Sequence, residues 1–462
     1  MKLPAALAAL RHWLSSHLVE NELIRRVTRN SAYLFSSSGA AAGLSMLQGI
    51  LAARLLGVAG FGLLGTITLF TSVVNKFASF RMNELVIKYV GKYSETGDPQ
   101  RAAAVFKAAS LVEIITSIFA YGIFFLLAPL GARYFAKDIN TTDWFLLYGL
   151  VILANLMAES STGLLQIWDC FRRIAVLNVV QSVVTLGLMT AAFIYYGMLE
   201  RPGSAMTAVL LAYMAGKLVG AATLTFAALR QAARTWGSDW WKTPLASLRG
   251  QAGELARFAV STNLSATINL VNKDSELLWV AFFRSPLEAG YYKLALALSN
   301  IALLPVAPLP QATYPELSRE AARKNWLNLR YILRQGSMMA GGYTLLTVAG
   351  LALLGIPIIR HIYRPEYLPA YPALLILLVG FLVANTFYWN RTALLALDLP
   401  GYPTKVNFIA ALLKILAALL LVPAFGYLGS AALLSGYYLF SISLNVRKVN
   451  RTLAEKQRQE AG

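Results

Sequence analysis

Charged residues are scarce in this chain. Asp, Glu, Lys and Arg make up 14% of its 462 residues, whereas a soluble domain carries about 25%. A water-exposed surface of ordinary size cannot be built from so few charges, and 57% of the residues are hydrophobic. The composition therefore argues against a soluble protein and favours one embedded in a membrane.

Side chains that form disulfides or bind metals are also rare. The one cysteine, Cys170, excludes an intrachain disulfide, and we interpret it as a packed, inert thiol. Three scattered histidines do not form a pattern typical of a metal site. We therefore expect neither a metal nor a cofactor.

Long apolar runs are what the chain has in abundance. Windows of about 20 residues, each long enough to cross a ~30 Å hydrocarbon core, recur along its whole length. Barrel strands would be about half as long and would alternate in polarity, so these windows predict helices. The sequence predicts an all-α polytopic membrane protein of about 12 transmembrane helices. The windows are 31–53, 61–80, 108–130, 144–166, 174–197, 205–229, 258–283, 289–313, 335–359, 370–390, 406–423 and 428–446.

Acidic residues are outnumbered by basic ones, 22 to 41, which gives a net charge of +19. The predicted loops on the N-terminal side of the membrane hold 29 of the 41 Lys and Arg, and the opposite loops hold seven. This asymmetry predicts that both termini are cytoplasmic, and it explains most of the basicity without a nucleic-acid partner. The apolar stretch 5–18 is too short and too interrupted for a cleavable signal, so we expect an amphipathic helix on the membrane surface.

The two halves of the sequence resemble each other weakly at a shift of 230 residues. The shift places Arg54 on Arg284, Gly60 on Gly290, Phe61 on Tyr291 and Asn155 on Asn385. Six helices per half insert the same way up, as in transporters built from parallel repeats, although a duplication that serves only packing stays open. The predicted segments are 1–30, a cytoplasmic amphipathic segment; 31–229, a six-helix bundle; 230–257, a cytoplasmic linker; 258–446, a second six-helix bundle; and 447–462, a basic cytoplasmic tail.

Three segments carry a resemblance to a known family: ARLLGVAGFGLLGTITL, KDSELLWVAFFRSPLEAGYYKLALAL and ATYPELSRE. They are similar to hallmark segments of the polysaccharide-biosynthesis flippases, the O-antigen and exopolysaccharide branch of the multidrug/oligosaccharidyl-lipid/polysaccharide (MOP) exporter superfamily. The resemblance runs from about 30 to 446. It implies a bacterial inner-membrane flippase that turns over polyprenyl-diphosphate-linked oligosaccharides by alternating access, with helices 1, 2, 7 and 8 lining the cavity. Membrane lipids and the polysaccharide polymerase machinery are candidate partners.

Ionisable residues inside the predicted helices are costly in lipid and are therefore candidates for function. They are Lys76, Glu113, Glu159, Lys217, Lys273, Asp274, Glu276, Lys293 and Lys414. A diphosphate needs fixed cations in a low-dielectric groove. We expect Lys273, Lys76 and Lys293 to bind it, and Asn269 and Asn272 to bind sugar; snorkelling to the membrane surface remains open for Lys76 and Lys293.

Acids in the predicted helices are candidates for ion coupling. Asp274, Glu276 and Glu159 could carry protons or sodium, although Lys273 and Glu276 are i,i+3 neighbours that could instead neutralise each other. Arg54 and Arg284 lie at the outer rim, where they form an outer gate or anchor to lipid headgroups.

Three other functions compete with a sugar-lipid flippase. A multidrug extruder of the same superfamily would favour buried acids, but predicted helix 1 has none. A lipid II flippase typically has two further helices and arginines within helix 1. A membrane-bound polymerase or glycosyltransferase would need an extramembrane domain, yet the predicted loops are short and no Asp-x-Asp occurs. We therefore expect no enzyme activity.

Overall fold

The computed structural model describes the backbone of residues 22–198, 204–273 and 275–461, and the side chains of residues 39–198, 204–263 and 275–459. The described residues form helices and no strand. The predicted amphipathic segment 5–18 lies outside the described residues.

The chain folds into long apolar helices joined by short turns. The N-terminal half contains α1 (Glu22–Ala78), α2 (Pro99–Gly131), α3 (Thr142–Gly149), α4 (Val151–Ala154), α5 (Ala158–Ile167), α6 (Phe171–Ala192) and α7 (Ala205–Trp236). The C-terminal half contains α8 (Ala252–Lys273), α9 (Glu276–Phe283), α10 (Pro286–Ser299), α11 (Leu309–Ala322), α12 (Trp326–Ile358), α13 (Ala370–Thr386), α14 (Asn390–Ala396) and α15 (Gly401–Ala461). Short helical segments are Asn83–Leu85, Val86–Val90, Gly91–Glu95, Ala132–Ala136, Ile139–Thr141, Phe193–Met198, Trp240–Lys242, Leu245–Gln251, Asn300–Ala302, Ile359–Tyr363 and Pro365–Tyr367.

Several helices begin where the sequence provides a capping side chain. Asp98 and Ser285 each accept a hydrogen bond from a first-turn N–H, and a proline follows each of them at the first helical position. Ser204 caps α7 and Asn325 caps α12 in the same way. These local signals position the helix ends independently of tertiary packing.

The predicted all-α membrane fold is confirmed. Each of the twelve apolar windows lies on helix for most of its length, and eight helices among the described residues are long and apolar enough to cross a membrane. Four windows are interrupted among the described residues: 258–283 at the non-helical Ser275, 289–313 by the turns between α10 and α11, 144–166 by turns at 150 and 155–157, and 370–390 by turns at 387–389. The total of 12 spans and the division into two bundles stay predictions.

Two glycines turn the chain back on itself. Gly57 in α1 has φ 67° and Gly426 in α15 has φ 58°, the left-handed region that a residue with a Cβ rarely adopts. Lys414 and Ser430, on opposite sides of Gly426, both contact Glu276, so the helix reverses between them. We call the end of the molecule with these glycines the kinked end, and the opposite end, where Ala78 lies, the basic end.

Two of the predicted helices are broken near the basic end. Turns at 155–157 separate α4 from α5, and turns at 387–389 separate α13 from α14. The 230-residue shift places Asn155 on Asn385; Asn155 begins the first break, and Asn385 lies two residues before the second. The repeat stays a prediction, and the breaks leave backbone N–H groups that need partners.

Candidate functional site

The two halves of the molecule touch most closely where α1 meets α10, near the kinked end. A Cβ added to Gly62 would lie 1.9 Å from Pro286 O, and one added to Gly290 would lie 2.2 Å from Val58 O. Backbone meets backbone at both positions, so no side chain fits between the helices. Gly62 and Gly290 therefore form a contact between the halves, whereas Gly60, which the 230-residue shift places on Gly290, packs against Leu56 and Met206.

Lys293 lies one turn further along this contact. A Cβ on Gly65 would lie 2.6 Å from Lys293 Cδ, so the absence of a side chain on α1 makes room for the lysine. Its Nζ donates to Phe61 O at 3.1 Å and lies 4.0 Å from the centre of the Phe61 ring. No described carboxylate forms an ion pair with Lys293. The ammonium has three donors, so two remain for an acceptor between the halves.

The structure does not place Lys76 beside Lys293. Lys76 is half-buried and has interaction partners of its own, and it lies eleven residues beyond Gly65, about 16 Å along the helix axis. The side chains of the other predicted binding residues, Lys273, Asn269 and Asn272, lie outside the part of the chain that the structure describes. Asp274 lies outside it entirely.

Glu276 forms a buried ion pair with a lysine from another helix. Its carboxylate on α9 bonds Lys414 Nζ on α15, and the two side chains are 3% and 7% exposed. Lys414 Nζ also lies 5.4 Å from the centre of the Tyr437 ring. The pair lies within the C-terminal half, and the sequence named both residues without pairing them. Neutralisation of Glu276 by Lys273 stays untested.

Glu159 lies at the N-terminus of α5, and the side chain of another acid, Glu113, bonds the backbone there. Glu113 on α2 is 3% exposed and accepts from Glu159 N and Ser160 N, each at 2.9 Å, and from Ser160 Oγ. Its carboxylate thus bonds the N–H groups that the break before α5 exposes, where negative charge is favourable. Sequence reasoning gave Glu113 no role, although an acid within the apolar window 108–130 was the available signal. Glu159 itself is half-buried and in the electrostatic field of Arg81 and other charged residues.

Arg54 and Arg284 share no partner among the described hydrogen bonds and ion pairs. Arg284 Nε donates to Glu288 Oε1 at 2.8 Å and its Nη1 donates to Pro423 O at 3.1 Å, beside the kink at Gly426. Arg54 is exposed. Their role as an outer gate therefore stays a prediction.

Tyr367 is a contact between the halves that sequence reasoning missed. Its OH donates to Ala53 O at 2.9 Å, and its ring lies 6.2 Å from that of Phe61. The side chain is fully buried although its residue lies in a connecting segment. No local pattern marks a tyrosine whose partner is 314 residues away.

A cavity of about 720 Å³ lies within the C-terminal half, between α10, α11 and the helices α13 to α15. Its lining mixes amides and aromatic rings with one guanidinium, and includes Asn300, Gln311, Tyr314, Arg391 and Tyr437. Tyr437 contacts Lys414, so the buried ion pair adjoins this cavity. Amide and aromatic groups are suitable partners for sugar hydroxyls and ring faces.

At the basic end the halves meet through α8. Asn263 accepts from Arg81 N at 2.7 Å and donates to Arg81 O at 3.1 Å. Tyr89 OH donates to Glu254 Oε1 at 2.8 Å. These bonds tie the start of the C-terminal half to the loop after α1.

Comparisons with known proteins agree with this fold. The family described as "Polysaccharide biosynthesis protein" matches residues 27–320. The inner membrane protein YghQ of Escherichia coli (strain K12) is 23% identical over 365 residues, covering 78% of this chain and 98% of that protein. A probable lipid II flippase, MurJ of Synechocystis, is 27% identical over 213 residues, covering 44% of this chain and 39% of that protein. Among solved structures, an inward-facing multidrug resistance MATE transporter of the MOP superfamily has a TM-score of 0.74 at 13% identity, over 90% of this chain and 95% of that one.

Proposed function

Since the chain belongs to the polysaccharide biosynthesis protein family, we propose that it moves polyprenyl-diphosphate-linked oligosaccharides from the cytoplasmic to the outer leaflet of the bacterial inner membrane. The chain is a multi-pass membrane transporter of the MOP superfamily. The cargo, a precursor of O-antigen or exopolysaccharide, is our proposal. The E. coli relative, named as an inner membrane protein, supports the location. With both termini in the cytoplasm, the basic end faces the cytoplasm and the kinked end faces outward.

Lys293 is the observation that carries the proposal. Its ammonium lies at the contact between the two halves and bonds a carbonyl rather than a described carboxylate. No described carboxylate competes at this lysine with an anionic ligand, and a lipid-linked diphosphate supplies such a ligand. Lys273, Lys76, Asn269 and Asn272 complete the proposed binding set.

Alternating access requires the halves to separate at the kinked end. The contacts of Gly62 with Gly290, and of Tyr367 with Ala53, close that end in this conformation. A diphosphate entering from the basic end would then meet Lys293 near the closed end of the path. Translocation makes no covalent change, so it requires neither an enzyme nucleophile nor a cofactor.

Ion coupling is the second part of the proposal. The Glu276–Lys414 pair is buried between α9 and α15 and adjoins the cavity of the C-terminal half. Protonation of Glu276 or exchange of its lysine partner for a cation would alter the packing of these helices. Asp274 and Glu159 remain further candidates.

The test expresses lysine variants of this protein in cells that lack their own flippase and measures surface polysaccharide. Lys293→Gln should reduce surface polysaccharide at least tenfold at normal protein abundance, and Lys293→Arg should retain part of it. Lys217→Gln is the matched control, because that lysine is exposed on α7; it should support full output. Wild-type output from Lys293→Gln would remove this residue from the mechanism. Resistance to lipophilic cations without restored polysaccharide would indicate a multidrug extruder instead.

A further inference from the structure

Two adjoining depressions form one groove at the basic end of the C-terminal half. They have volumes of about 400 and 230 Å³ and share Phe387, Val446 and Asn450 in their walls. One side of the groove is the first part of α12, and the other is the last part of α15. None of its lining residues lies on α1 or α10, so it is separate from the contact between those two helices.

Three arginines line this groove. Arg330 and Arg334 are one turn apart on α12, and Arg447 is on α15. All three are exposed, and none has a hydrogen bond or ion pair with a described residue.

Other arginines near the same end are paired instead. The pairs are Arg319 with Glu316, Arg323 with Glu320, and Arg451 with Glu455. Within the described part of the chain, acids thus pair with neighbouring arginines on α11 and α15, and none pairs with the three in the groove. Their charge remains available to an anion from outside the protein.

The rest of the groove is apolar and leads toward the lipid-facing side of α12. Trp389 and Leu333 are buried in its floor, and Trp389 Nε1 donates to Ser337 Oγ at 2.7 Å, which holds the ring in place. Met338 lines the groove one turn beyond Arg334 and is 59% exposed. Leu345 and Leu346 continue this exposed apolar face along α12. The groove therefore has a cationic mouth and an apolar wall.

We propose that this groove binds the headgroup phosphate of an anionic phospholipid from the cytoplasmic leaflet. Guanidinium groups bind phosphate oxygens in pairs, and basic pockets between helices on the cytoplasmic side suit anionic headgroups. The apolar wall accommodates the first part of an acyl chain. The groove opens toward the bilayer and away from the path between the halves, which favours a resident lipid over the cargo.

The test measures lipid binding to the purified full-length protein in detergent by native mass spectrometry. The probes are dioleoylphosphatidylglycerol and dioleoylphosphatidylcholine. Replacing all three groove arginines by Gln should weaken phosphatidylglycerol binding on the order of 100-fold, since each basic residue contributes roughly fivefold. The matched control replaces Arg172, Arg173 and Arg230, exposed at the basic end of the other half, and should change that affinity less than twofold.

Single substitutions guard against misfolding of the triple variant. Arg334→Gln and Arg447→Gln should each weaken phosphatidylglycerol binding about fivefold at unchanged thermal stability, and Arg334→Lys should weaken it less. Equal phosphatidylglycerol affinity in the groove and control variants would overturn the proposal. Wild-type protein that binds phosphatidylcholine as tightly would overturn it too. Polyprenyl diphosphate is the third probe. If its binding, and not that of phosphatidylglycerol, depended on these arginines, the choice of a resident lipid would be overturned.

Discussion

Gly290→Ala should open the kinked end of the molecule. The new Cβ would lie 2.2 Å from Val58 O, and a further contact at 3.0 Å is to Val58 C, so the obstacle is backbone that cannot rotate away. The two helices must move apart by about 1 Å to restore an ordinary contact. Overpacking of this kind costs about 1–3 kcal/mol. If the closed state bears that cost and the open state does not, the ratio of open to closed molecules rises by roughly 5- to 150-fold.

The measurement is the alkylation rate of a single thiol at this contact. The natural Cys170 is first replaced by Ser, and Val58→Cys then places a thiol at a position that is 5% exposed. In the Gly290→Ala background its reaction with a membrane-impermeant maleimide should accelerate by at least fivefold.

Gly350→Ala is the matched control, because its Cβ would meet nothing within 4 Å. It should leave the alkylation rate unchanged. If both alanine variants react alike at equal thermal stability, the glycine contact does not hold the halves together and the reasoning fails.

Two further predictions concern buried carboxylates. Glu113→Ala leaves the N–H groups of α5 without their acceptor, which should lower the free energy of unfolding by about 1–3 kcal/mol for each group. The control Glu95→Ala, at an exposed site, should change it by no more than about 0.5 kcal/mol. Denaturant unfolding in detergent compares the two variants, and equal stabilities would contradict the capping role. Glu276→Leu removes the carboxylate from buried Lys414 and should destabilise by about 3–5 kcal/mol, and adding Lys414→Leu should recover most of that loss. Additive losses in the double variant would show that the two residues are not coupled. A stable double variant that fails to transport would support ion coupling.

Helix positions were largely predictable from the sequence. The window 108–130 lies within α2, and all of 335–359 except its last residue lies within α12, because an apolar run of that length has few other ways to bond its backbone. Gly60 was recognised as special because it recurs as Gly290 at a shift of 230. The backbone contact of Gly62 with Gly290 was not predictable, since it depends on which helix packs there.

The candidate site was predicted in part. Lys293 was named from its cost in lipid, and the structure adds the carbonyl and ring of Phe61 as its partners. Glu276 was named as well, but its bond to Lys414 joins residues 138 apart and has no local signature. Lys76 was grouped with Lys293 because both lie on predicted cavity-lining helices, and helix geometry places Lys76 about 16 Å from the Gly65 position beside Lys293.

The amino-acid sequence by itself determined that this protein is a bundle of apolar helices and where several of those helices begin, and it predicts which side of the membrane the basic loops favour. Those properties depend on hydropathy, capping residues and charge along the chain, which act over one or a few turns. Only the tertiary structure decided that Gly62 meets Gly290, that Glu113 bonds the start of α5, and that three arginines without a partner among the described residues line one groove. Such contacts join residues from helices far apart in the chain, and their energies exist only after the helices have packed.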